Sequence, residues 1–144
     1  MSIRSNKTVS IHELGLTSDS ELKKIANDLH IKLNWIGFEE DLSKYKNGGY
    51  ILNIGNSKNG THWVSLFVKD KQLFYFDSFA VSPNDEILIW AQKNNVQALF
   101  YNNKEQFQQL NEMLCGAWCI AFLYYMQNKK GTLPERFNAF CEAI

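Results

Sequence analysis

Residues 113 to 125, MLCGAWCIAFLYY, carry no charged side chain. A helix-length segment that is apolar all round has no face to give to water, so it must be buried. The rest of the chain has to supply its cover. With 144 residues and 45% hydrophobic content, the chain is the size of one domain, 1–144, built on one continuous core.

Upstream, TSDSELKKIANDLHI reads as a helix: Ser18 is positioned as N-cap with Glu21 three residues on, and Leu22, Ile25, Ala26 and Leu29 share a face. A looser stretch, NWIGFEEDLSKYKNGGY, precedes the short strand YILNI. HWVSLFVKDKQLFYFDSFA holds two β-rich runs joined across Lys69-Asp70-Lys71, which reads as a hairpin. Ser82-Pro83 predicts an N-cap with proline at the first helical position of a helix reaching about Lys93. NVQALFY is a further strand, residues 114 to 127 form the buried helix, Gly131 stops it, and Pro134 starts a short final helix. The fold class is α+β, with a mixed sheet packed against a central helix.

The hairpin brings two titratable groups together. A two-residue loop at Lys69-Asp70 sets His62 opposite Asp77, whereas a four-residue loop sets His62 opposite Phe79. In both cases His62 and Asp77 share a face, because side chains alternate with period two. An imidazole beside a carboxylate is the orienting pair of a nucleophilic hydrolase. A plainer reading stands beside it: Asp77 opens the turn DSFAVSP and His62 ends a loop. His12 lies in a polar N-terminal arm, and His30 ends the first helix, where cations favour the dipole.

Cys115 stands where polar sequence gives way to the apolar helix. Unpaired amides and the positive dipole end at a helix N-terminus stabilise a thiolate, and the Cys115 N–H is placed to donate to an oxyanion. Gly116 leaves room for an incoming carbonyl. Cys119, one turn deeper in apolar surroundings, and Cys141, in the last helix, read as packing. The glutamines of QQLNEML are either a solvated loop or donors to an oxyanion hole.

Charge and cysteine usage narrow the classes. Fifteen basic and fifteen acidic side chains are interspersed rather than striped, which argues against nucleic-acid binding as the main activity. The N-terminus lacks a signal-peptide core and no apolar run is of membrane-spanning length, so the chain is expected to be neither secreted nor a membrane protein. Three cysteines make neither a disulfide framework nor the paired spacing of a zinc site, and neither metal nor cofactor is expected.

Taken in order, GTHWVSLFV, FYFDSFA and QLNEMLCGAWC give His-Trp, an acid after the next strand, and Gln-x-Asn-x-x-x-Cys-Gly at a helix start. This series resembles the adenovirus-type (adenain-like) cysteine proteases, in a wider group that includes the SUMO-deconjugating proteases. In its short chain and loop style it is most similar to the maturation proteases of virophages and Polinton-like elements. The resemblance implies a papain-like/adenain-like fold and a peptidase that matures viral capsid precursors near small residues, often glycine, in the virion and host-cell cytoplasm. It further implies Cys115 as nucleophile, His62 as base and then acid, Asp77 as orienting carboxylate and Gln109 as oxyanion donor. Trp63 would be the aromatic wall of the substrate cleft. The adenovirus enzyme carries the other acidic residue type in place of Asp77, and its glutamine lies one position further from cysteine, which keeps Gln108 open beside Gln109. The resemblance leaves a peptide activator open, the DNA activator is not carried over, and the protein is expected to act as a monomer. A protease of ubiquitin-like conjugates and an inactive capsid-binding scaffold are the alternatives.

Overall fold

The computed structural model describes residues 2–4, 8–10, 18–42, 44–54, 62–102 and 115–142. Two short strands, β1 (Ser2–Arg4) and β2 (Thr8–Ser10), pair as an antiparallel ribbon in what the sequence presents as a polar arm. Helix α1 (Asp19–Asp28) begins with the anticipated capping box, Ser18 accepting from the Glu21 N–H while the Glu21 carboxylate accepts from Ser18 N–H. It ends in a Schellman turn: His30, at φ 57°, donates to the Asn27 carbonyl and Ile31 to the Ala26 carbonyl.

The main sheet has five strands in the order β3-β4-β5-β6-β7. They are β3 (Leu33–Phe38), β4 (Gly48–Asn53), β5 (Trp63–Lys69), β6 (Gln72–Phe76) and β7 (Ala98–Tyr101). The outer pairs β3-β4 and β6-β7 are parallel and the inner pairs antiparallel. Strand β3 lies in the stretch that reads as loose in sequence. It is half-buried along its length and carries no alternating pattern, so periodicity alone could not reveal it.

The β5-β6 turn is two residues long but sits one residue later than a Lys69-Asp70 loop. Asp70 and Lys71 form it, with φ 53° and 63°, and Lys69 pairs with Gln72. Helix α2 (Asp85–Lys93) also starts later than the Ser82-Pro83 signal. Its N-cap is Asn84, whose side chain accepts from the Ile87 N–H. Asn84 in turn donates to both oxygens of the buried Glu39, in a 3-10 turn (Glu39–Asp41) after β3. That long-range bond holds the cap at Asn84.

Helix α3 (Cys115–Asn128) is the apolar segment, and ten of its residues are buried. It packs on one sheet face against Ile51, Phe67, Phe74 and Phe76, while Leu22 and Ala26 of α1 and Phe137 and Phe140 of α4 (Leu133–Glu142) complete its cover. Contact with the sheet is close at Gly49, where a Cβ would stand 3.0 Å from both Leu123 methyls. The opposite face carries Tyr50, Leu52, Val64, Leu66, Val68, Leu73 and Tyr75, covered by Ile87, Trp90 and Ala91 of α2. Strands β4 to β6 are thus buried on both faces, which is why they read as apolar runs. Thr132 caps α4 with Glu135, and Pro134 sits inside its first turn, close to the anticipated start.

Among the described residues, no helix is long and apolar enough to cross a membrane, and no group of His, Cys, Asp and Glu is arranged to hold a metal ion.

Candidate active site

Three chain segments meet at the N-terminus of α3. His62 precedes β5, Asp77 follows β6, and Cys115 is the first residue of the helix laid across their sheet face. The β5-β6 register, with Ser65 opposite Phe76, continues outward to set His62 opposite Phe79, and the two rings are 4.9 Å apart. Asp77, diagonal to His62 on the same face, places Oδ1 2.8 Å from His62 Nε2.

Asp77 is held from several directions. Its Oδ1 also accepts the Phe79 N–H at 2.8 Å, and its carbonyl accepts the Ala80 N–H at 2.8 Å in a turn that puts Ala80 at φ 59°. One carboxylate oxygen thus meets both the turn and the imidazole. Asn102, immediately after β7, accepts the Asp77 N–H through Oδ1 at 3.1 Å and donates through Nδ2 to the Asp77 carbonyl at 2.8 Å. Asp77 is 1% exposed and Asn102 is buried beside it. Asn102 carries no motif in the sequence. The available signal was weak, a polar residue ending the apolar run ALFY, and it gains meaning only from parallel pairing of β6 with β7.

His62 is 14% exposed. Burial on its own lowers the imidazole pKa, but the hydrogen bond and charge of Asp77, with Cys115 adding to both, outweigh it and raise the value to about 9. With Nε2 committed to Asp77, Nδ1 is the ring nitrogen left to exchange a proton with sulfur. Cys115 Sγ accepts the Trp63 N–H at 3.3 Å.

Cys115 and Gly116 are both buried at the helix start. Cys119 is fully buried one turn on, and burial pushes its thiol well above the ordinary range, in keeping with a packing role. Burial likewise raises Cys141 to about 11. None of the three cysteines is in a disulfide. Trp63 is largely buried, and part of it lines an open cleft. Gln108, Gln109 and Asn111 lie outside the described residues, as does His12, while His30 is exposed at the end of α1.

No protein-family model matches the sequence. A curated protease of Ovine adenovirus D serotype 7 is 30% identical over 149 aligned positions, covering 85% of this chain and 73% of that protein. The chain belongs to the adenovirus protease family. It is a protease of the adenain-like cysteine type. Two crystal structures of the ASFV pS273R protease, one of them with selenomethionine, superpose with TM-scores of 0.60 and 0.59 at 15% identity. They match 93% of this chain, which spans 64% of their length, and they share its α+β fold.

Proposed function

We propose that this protease is an endopeptidase acting through Cys115, His62 and Asp77, with Gln109 completing the oxyanion hole, and that it matures virion proteins. The observation that carries the assignment is the convergence of the 2.8 Å His62–Asp77 bond with Cys115 at the N-terminus of α3. With His62 held as imidazolium, Cys115 reacts as the paired thiolate. Sulfur attacks the scissile carbonyl, and the oxyanion is met by backbone N–H at the helix start and by the Gln109 amide. His62 passes its Nδ1 proton to the leaving amine as the carbon–nitrogen bond breaks, leaving a thioester. Water then adds as neutral His62 takes its proton, and the carboxylic acid leaves as the thiolate returns. Asp77 stays ionised and holds the imidazole through Nε2.

The substrates are capsid precursors cut near glycine or other small residues, and residues 1–144 act as a single domain. Similarity of motif style supports placement with virophage and Polinton-type enzymes, working in the virion and viral factory. Incubation with candidate virion precursors, followed by sequencing of the new N-termini, tests this reading. Cleavage next to small residues that disappears in Cys115→Ala is the expected result. Full peptidase activity in Cys115→Ala overturns the catalytic assignment. Release of ubiquitin-like tails with the precursors left intact overturns the maturation role. Gln109→Ala is expected to lower kcat/KM roughly 100-fold, and a loss confined to Gln108→Ala reassigns the donor.

A further inference from the structure

Next to the catalytic pair lies an open cleft of about 450 Å³, whose lining includes Trp35, Gly37, Phe38, Trp63 and two aspartates, Asp19 and Asp41. Trp63 joins it to the chemistry, since that residue follows His62 and its N–H holds the Cys115 sulfur. Part of the cleft surface is aromatic by construction. Gly37 has no side chain, and a Cβ there would stand 3.0 Å from Trp35 Cη2 and 3.1 Å from Cζ2, so the indole lies along the strand. The rim is acidic: Asp19 opens α1, Asp41 ends the 3-10 turn, and both are exposed. None of the described residues lining the cleft is cationic.

Those surfaces select one kind of occupant. An anionic side chain meets two like charges, and an uncharged apolar one covers the indoles while offering the carboxylates nothing. A lysine or arginine does both: its methylene stem lies on the aromatic surface and its charged head reaches the indole face and the aspartates.

We propose that this cleft is a specificity subsite for a basic side chain of the peptide substrate, Lys or Arg, within a few residues of the scissile bond. The subsite rests on the proteolytic reading above. Its test uses the full chain and synthetic peptides with Gly-Gly at the scissile bond, each flanking position carrying Lys, Arg, Met or Glu in turn. At one position Lys and Arg are expected to raise kcat/KM about tenfold over Met, with Glu poorer than Met. In the double variant Asp19→Asn/Asp41→Asn that preference falls to about threefold, the share the indole faces keep, while the rate of Cys115 alkylation by iodoacetamide is unchanged. Cleavage with no basic preference at any position, or a preference undiminished in the double variant, overturns the subsite and leaves the proteolytic reading standing. Failure to cleave any peptide together with an unreactive Cys115 overturns both.

Discussion

Replacing Asp77 by Asn removes a charge while keeping an oxygen for His62 Nε2–H and for the Phe79 N–H, so its effect should be ionisation more than shape. In the native protein the imidazole titrates at about 9, against an ordinary 6.5. If loss of the Asp77 charge returns His62 to its ordinary value, the imidazolium fraction at pH 8 falls from about 0.9 to about 0.03. At pH 6 it falls only from about 1 to about 0.8. Orientation loss lowers the rate at every pH, so the diagnostic quantity is the additional loss: about 30-fold at pH 8 and about 1.3-fold at pH 6. The assay is kcat/KM on a cleavable precursor peptide from pH 5 to 10, with the alkaline limb moving from near 9 toward 6.5. Stability offers a second readout. A raised histidine pKa contributes stability that is complete below pH 6.5 and is lost as pH rises through 9. The native Tm should therefore decline across that window, and Asp77→Asn should flatten its own decline. An alkaline limb that stays near 9 in Asp77→Asn would refute the idea that this carboxylate holds His62 charged.

Asn102→Ala strips both of its hydrogen bonds from the Asp77 backbone, taking the partner of the buried N–H while the C=O keeps the Ala80 N–H; a loss of roughly 1–3 kcal/mol in urea unfolding is expected, with a fall in kcat that exceeds any change in KM. Glu39 is raised to about 7 chiefly by burial, with Glu86 adding to the rise against the Asn84 bond, so it is carried neutral by the fold and penalises the folded state once ionised. Its cost grows from pH 4.5 to 7. Glu39→Gln, which still accepts from Asn84, should therefore raise the Tm above pH 7 by about 3 °C, on the order of 1 kcal/mol, and change little at pH 4.5. Cys119→Ala should keep peptidase activity at a cost of about 1 kcal/mol. In the native state iodoacetamide at neutral pH should modify Cys115 and leave Cys119 untouched, as read by peptide mass mapping.

Some of this architecture is local enough to be legible in the chain. The Ser18 capping box, the α1 apolar face and the stop at Gly131 involve residues within a few positions of one another, and the local chemistry decides them. The shared face of His62 and Asp77 is also legible, because strand alternation survives a shift in the turn. Features that depend on distant partners were not. Asn84 rather than Ser82 caps α2 because Glu39, far away in sequence, anchors it. The turn settled on Asp70-Lys71, two residues in the left-handed region, where no glycine marks the place. Strand β3 owes its existence to parallel pairing with β4, and Asn102 reaches Asp77 only because β7 lies parallel to β6.

The sequence by itself determined that residues 113 to 125 must be buried and that Cys115 stands at the polar edge of that burial, since both follow from the transfer of apolar surface out of water. It also determined the order of His62, Asp77 and Cys115. Tertiary structure decided their convergence: the sheet, apolar on both faces, holds α3 against Ile51, Phe67, Phe74 and Phe76, and that packing brings a helix start to the open end of a hairpin. It decided the charge on His62 as well, because an imidazole that would be half neutral at pH 6.5 alone becomes a cation when a buried carboxylate stands 2.8 Å away.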